Sequence, residues 1–256
     1  MKESYPVIEG AEAFYKKGND IGILISHGFV GTPQSVAFLG EKLAEYGYTV
    51  YAPRLKGHGT HYKDLERATY QDWFSDIEAG YKYVKEQCSS VFVVGQSMGG
   101  TLALWLAEKY PEVKGLVLIN AALRVPGYEY LRDVSAPAYV DEVNPDIKRQ
   151  DVQEITYDKV PVAAIHQLQT LMNRTPAKLA QINTPVFCFK STEDHVVPPA
   201  STDLILRAIG SEQKEVRTLT NSYHVASLDY DQERIAEETQ QFIARNTRGL
   251  GYKRTG

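Results

Sequence analysis

Cysteine is scarce in this chain of 256 residues: only Cys88 and Cys188 occur. Cys188 lies inside the apolar run Val186-Phe187-Cys188-Phe189. Two thiols so placed read as reduced core or near-surface groups and argue against a disulfide framework. There is no excess of positive charge either. With 28 Lys and Arg against 32 Asp and Glu, the net charge is −4. That balance gives no electrostatic case for nucleic acid or an anionic membrane as partner. No apolar run approaches the length of a membrane span. The opening Met1-Lys2-Glu3-Ser4-Tyr5-Pro6 lacks the apolar core of a signal peptide, so the expected compartment is the cytoplasm. The six histidines form no metal set. His58 and His61 are close, but no carboxylate or Cys stands at ligand spacing beside them. Neither a metal nor a cofactor is expected.

What is present is a regular alternation. Strands are predicted at 21–26, 47–52, 91–95, 115–119, 185–190 and 213–219, with a leading antiparallel piece around 11–15. Amphipathic stretches at 34–46, 71–86, 98–110, 200–209 and 231–246 predict helices. Trp73, Phe74, Ile77, Tyr81 and Val84 share one face, as do Ile235, Phe242 and Ile243. Strands alternating with such helices imply a mostly parallel sheet covered on both faces, with the ligand at the carboxyl ends of the strands. The alternation stops between about 121 and 182, where Pro126, Pro137, Pro145, Pro161 and Pro176 fall among tyrosines and charges. That span is too long for a bare loop. It predicts a small helical cap, residues 121–182, inserted in a core made of 1–120 and 183–256.

The pentapeptide Gly95-Gln96-Ser97-Met98-Gly99 stands between the strand run Val91-Phe92-Val93-Val94 and a predicted helix. Strand, Gly-x-Ser-x-Gly, helix is the context of a nucleophile elbow, which lifts a serine hydroxyl above the sheet on a strained turn. Two partners follow in chain order. Asp194, with Glu193 as the rival carboxylate, sits in a loop after a strand. His224 sits in Asn221-Ser222-Tyr223-His224-Val225-Ala226, also after a strand. Ser, Asp, His is the order of α/β-hydrolases. His224 would take the proton of Ser97, and Asp194 would fix the imidazole tautomer. After Ile23-Leu24-Ile25, the segment His27-Gly28-Phe29 opens the loop that supplies one oxyanion-hole amide in this fold. The backbone N–H groups assigned are those of Phe29 and Met98. His27 is read as a brace for that loop, not as a base.

With these segments placed, the chain resembles small bacterial monoacylglycerol lipases and carboxylesterases of the α/β-hydrolase superfamily. The resemblance runs from about Tyr5 to Ala244. It rests on Ile21 to Pro33, Pro53-Arg54-Leu55-Lys56-Gly57-His58-Gly59-Thr60, the elbow, Glu193 to Pro199 and the His224 loop. It implies cofactor-free hydrolysis of carboxylic esters, monoacylglycerols above all, through an acyl-serine. It implies a small-molecule ester as the partner and a monomer or weak homodimer. It also implies a cap carboxylate for the glycerol hydroxyls, matched here by Glu154, and an apolar residue near the glycerol, matched by Val143. Two other readings stay open: a general carboxylesterase without glyceride preference, and a ligand receptor on the hydrolase fold with slow turnover.

Overall fold

The apolar runs are buried on alternate sides, which explains why they read as continuous rather than alternating. Ile23 and Ile25 belong to one hydrophobic cluster and Leu24 to the other; Phe92 and Val94 oppose Val93 in the same way. The computed structural model describes residues 3–142 and 144–247. Its main sheet has seven strands: β1 (Phe14–Lys16), β2 (Ile21–Ser26), β3 (Thr49–Ala52), β4 (Ser90–Gln96), β5 (Gly115–Ile119), and two strands late in the chain, Val186–Ser191 and Lys214–Leu219. Between β5 and those two lies a separate hairpin of β6 (Tyr139–Asp141) and β7 (Lys159–Pro161), so the late strands are β8 and β9. The order across the main sheet is β1-β3-β2-β4-β5-β8-β9. Only β1 is antiparallel to its neighbour; the other pairings are parallel.

Seven α-helices accompany the strands among the described residues. They are α1 (Ala37–Glu45), α2 (Tyr62–Leu65), α3 (Tyr70–Lys85), α4 (Met98–Lys109), α5 (Val162–Arg174), α6 (Ala200–Ala208) and α7 (Gln232–Thr247). The predicted helix at 34–46 begins as a 3-10 turn, Pro33–Val36, because proline presets the first turn without needing an N–H partner. Helix α3 starts one residue earlier than the predicted 71–86. A capping box decides it: Thr69 Oγ1 accepts from the Asp72 amide, and Asp72 accepts from the Thr69 amide. Trp73, Ile77, Tyr81 and Val84 are buried on its inner face, with Phe74 only partly covered. Ile235, Phe242 and Ile243 are buried as expected on α7. The short α2 has no counterpart in the sequence reading.

Residues 121–182 are helical only in part. They hold one long helix, α5, two 3-10 segments (Pro126–Leu131 and Pro176–Gln181) and the β6–β7 hairpin. The hairpin strands have three residues each, too few for a period-of-two pattern to be legible. Helix α5 packs through Ile165, Leu168 and Leu171 into the cluster that also contains residues of α3 and α4. Between β6 and α5, Asp146 accepts from the backbone amides of His195 and His224, in the loops after β8 and β9.

Candidate active site

The central strand β4 delivers Ser97 at its carboxyl end, directly before α4. Ser97 has φ 55° and ψ −119°, a strained conformation for a residue with a Cβ. The surroundings enforce it. The Ser97 amide donates to the Ile119 carbonyl at 2.9 Å. A Cβ on Gly99 would lie 2.3 Å from the Ser26 carbonyl oxygen, so the crossing of helix and strand leaves room for glycine alone.

Loops after β8 and β9 bring the two partners to this turn. His224 Nε2 is 2.8 Å from Ser97 Oγ, and His224 Nδ1 is 2.8 Å from Asp194 Oδ2. A carboxylate can only accept, so Nδ1 carries the proton and Nε2 is left to accept from the Ser97 hydroxyl. The other Asp194 oxygen accepts from the amides of Val196 (2.9 Å) and Val197 (2.7 Å), which fixes the carboxylate's rotation. Asp194 and His224 are nearly sealed from solvent, with side chains 2% and 8% exposed. Glu193, the rival carboxylate, is 53% exposed and faces Lys148 instead.

The β2 loop reaches the same point. A Cβ on Gly28 would stand 3.9 Å from Ser97 Oγ. Neither the Phe29 nor the Met98 amide has an acceptor among the described residues, so both are free to meet an incoming oxygen. His27 is fully buried. Its Nδ1 donates to the Gly28 carbonyl (2.9 Å) and its Nε2 accepts from the Leu55 amide (3.2 Å). Burial drives its imidazole down to about 4, so it stays neutral and braces the loop.

One pocket holds Phe29, Ser97 and His224 together with groups from residues 121–182. Val125 and Leu168 supply apolar lining; Tyr128, Glu142 and Glu154 supply polar groups. Glu154 is held there by its flanks. Gln34 donates to the Gln153 carbonyl (2.9 Å) and accepts from the Ile155 amide (3.2 Å), bracketing the residue between them. Enclosure raises the Glu154 carboxyl to about 7, against the opposing pull of His224 and the Ser35 hydroxyl. Glu142 is raised to about 7 first by burial and then by the negative charge of Glu154. Val143 lies outside the described residues.

Sequence reasoning missed several of these groups. Asn120, itself at φ 46°, and Gln96 both donate to the His224 carbonyl at 2.9 Å. The middle residue of Gly-Gln-Ser thus anchors the histidine loop, a role no motif announces. Glu142 and Asp146 also line the pocket. An acidic residue beside a short strand carries no signal of its own.

The family model for serine aminopeptidase, S33, matches residues 19–231. The chain belongs to the serine aminopeptidase S33 family. Among relatives, a thermostable monoacylglycerol lipase of Bacillus sp. (strain H-257) is 49% identical over 248 residues, 96% of this chain and 99% of that one. A carboxylesterase of Bacillus subtilis (strain 168) is 28% identical, covering 90% of this chain and 95% of the other. A solved structure associated with LipS and LipT, two metagenome-derived lipolytic enzymes, superposes with a TM-score of 0.91 at 44% identity, over 94% of this chain and 100% of that one. The monoacylglycerol lipase of Paleococcus ferrophilus gives 0.76 at 17% identity, over 91% and 98% respectively, a likeness of fold. This S33 family member therefore has the α/β-hydrolase fold. Among its described residues no helix is long and apolar enough to cross a membrane, and no group of three His, Cys, Asp or Glu is placed to hold a metal ion.

Proposed function

We propose that this chain hydrolyses carboxylic esters through an acyl-Ser97 intermediate and that monoacylglycerols are its preferred substrates. The observation that carries the chemistry is the 2.8 Å contact from Ser97 Oγ to His224 Nε2, with Asp194 behind the ring. In this reading Ser97 Oγ attacks the ester carbonyl while His224 takes its proton. The carbonyl oxygen becomes negative and is met by the amides of Phe29 and Met98. Collapse of the tetrahedral intermediate expels the alcohol, which leaves with the proton from His224. Water repeats the cycle on the acyl-serine and releases the acid.

The substrate class is supported by the Glu154 carboxyl in the same pocket and by the lipase named among the near relatives. Glu154 is assigned to the glycerol hydroxyls, with residues 121–182 as the cap over the acyl chain. Two free, buried thiols, Cys88 and Cys188, suit the cytoplasm. The test compares kcat/KM over p-nitrophenyl esters and monoacylglycerols of rising acyl length. Ser97→Ala should lower kcat on the order of 10⁶-fold and abolish labelling by a fluorophosphonate. A folded Ser97→Ala protein keeping a few per cent of activity would sink the reading. Tight ester binding without turnover in the native protein would favour a receptor.

A further inference from the structure

Asp146 comes from the segment between β6 and β7, yet it contacts both loops that carry the partners of Ser97. Its Oδ2 accepts from the backbone amide of His195 at 3.0 Å and from that of His224 at 3.1 Å. Its Oδ1 is 2.7 Å from His195 Nδ1, and its own carbonyl accepts from the Val225 amide at 3.1 Å. One carboxylate oxygen thus joins the residue after Asp194 to His224 itself. The Asp146 side chain is only 14% exposed, whereas its partner ring on His195 is 61% exposed. The far side of the segment is fixed as well. Buried Asp229 accepts from the amides of Lys148 (2.7 Å) and Arg149 (3.1 Å), and also from that of Tyr223 (2.9 Å) in the histidine loop.

The geometry points to Asp146 as a positioning residue: it sets the spacing of the acid loop and the histidine loop, and so the alignment of His224 between Asp194 and Ser97. This rests on the reading of those three as the reacting groups. An acceptor with two oxygens suits the task. Three donors from two loops converge on it, and a carboxamide could accept at only one atom. Because Asp146 acts on alignment, its loss should reach kcat and leave substrate binding nearly untouched.

The test uses Asp146→Ala, which removes the oxygen that accepts both backbone amides, and Asp146→Leu in case the first fails to fold, in the full chain. With p-nitrophenyl butyrate, kcat should fall about 10- to 100-fold, the loss of one or two charge-assisted hydrogen bonds. KM should stay within about 2-fold. Fluorophosphonate labelling of Ser97 should slow in step. The proton NMR signal of His224 Nδ1–H, bonded to Asp194, should shift or broaden. His195→Ala removes only the ring contact and should cost less than about 3-fold, as expected of an exposed pair. A folded variant of Asp146 with native kcat and an unmoved His224 signal overturns the proposal. A wild-type protein that neither turns over esters nor labels at Ser97 overturns the underlying reading instead, while the NMR signal still reports on Asp146.

Discussion

Glu142 is a carboxyl that the fold holds at a cost, and Glu142→Gln should reveal it. In an unfolded chain its ordinary value is 4.5; in the native pocket it is raised to about 7 by burial and by Glu154. A raised native value means that the folded state holds the proton more tightly. The carboxyl is therefore harmless to stability below pH 4.5, and its penalty grows as pH rises through about 7. The full difference corresponds to at most about 3 kcal/mol. Partial exposure and coupling to Glu154 reduce the expected gain to about 1–2 kcal/mol above neutrality. For a chain of this size that is about 3–6 °C in Tm. Glutamine keeps the shape of the protonated acid, so near pH 4.5 the variant and the wild type should melt together. Thermal unfolding followed by circular dichroism across that range is the assay. An equal Tm increment at both ends of the range, or a lower Tm for the variant at alkaline pH, would refute the reasoning.

The other outcomes concern activity. Asp194→Asn should lower kcat on the order of 10⁴-fold by presenting the wrong imidazole tautomer, while Glu193→Gln behaves as wild type in the same assay. Glu154→Gln should weaken turnover of monoacylglycerols about 10- to 100-fold and change little for ethyl esters, which have no hydroxyl to offer. Equal losses on both would assign Glu154 to the cap in general. Gly31→Ala should reproduce that selectivity without altering Glu154 itself. Its Cβ would lie 2.5 Å from Glu154 Oε1, so the flexible carboxylate must move aside. Competing a glycerol ester against an ethyl ester in one reaction checks it.

Much of this was legible because the signals were local. The elbow needs a strand, five residues and a helix in sequence, and all three are contiguous. The five inner strands of the main sheet are largely buried on both faces, while the edge strands β1 and β9 are more exposed, and the alternation of elements survived into the architecture. Asp194 and His224 could be placed because each follows a strand, at the carboxyl end where parallel strands converge. Asp146 could not be found this way. Its donors lie far along the chain, and Asn144-Pro145-Asp146 looks like any turn. Glu142 was hidden for a related reason: the three-residue β6 gives no period from which to read its direction. Gln96 was in plain view inside the motif, but its bond to the His224 carbonyl depends on how two loops meet.

The grip of Gln34 on its two neighbours has a consequence for how such a protein can change over generations. Both of its bonds go to peptide groups, the Gln153 carbonyl and the Ile155 amide, and neither touches a side chain. Peptide groups are the same in every residue but proline. The identities at 153 and 155 can therefore drift by inheritance while the carboxylate between them stays aimed. Position 34 has no such freedom, since it must offer one donor and one acceptor at once. Diversity beside the pocket is cheap here because a single amide side chain, on a different part of the chain, carries the constraint.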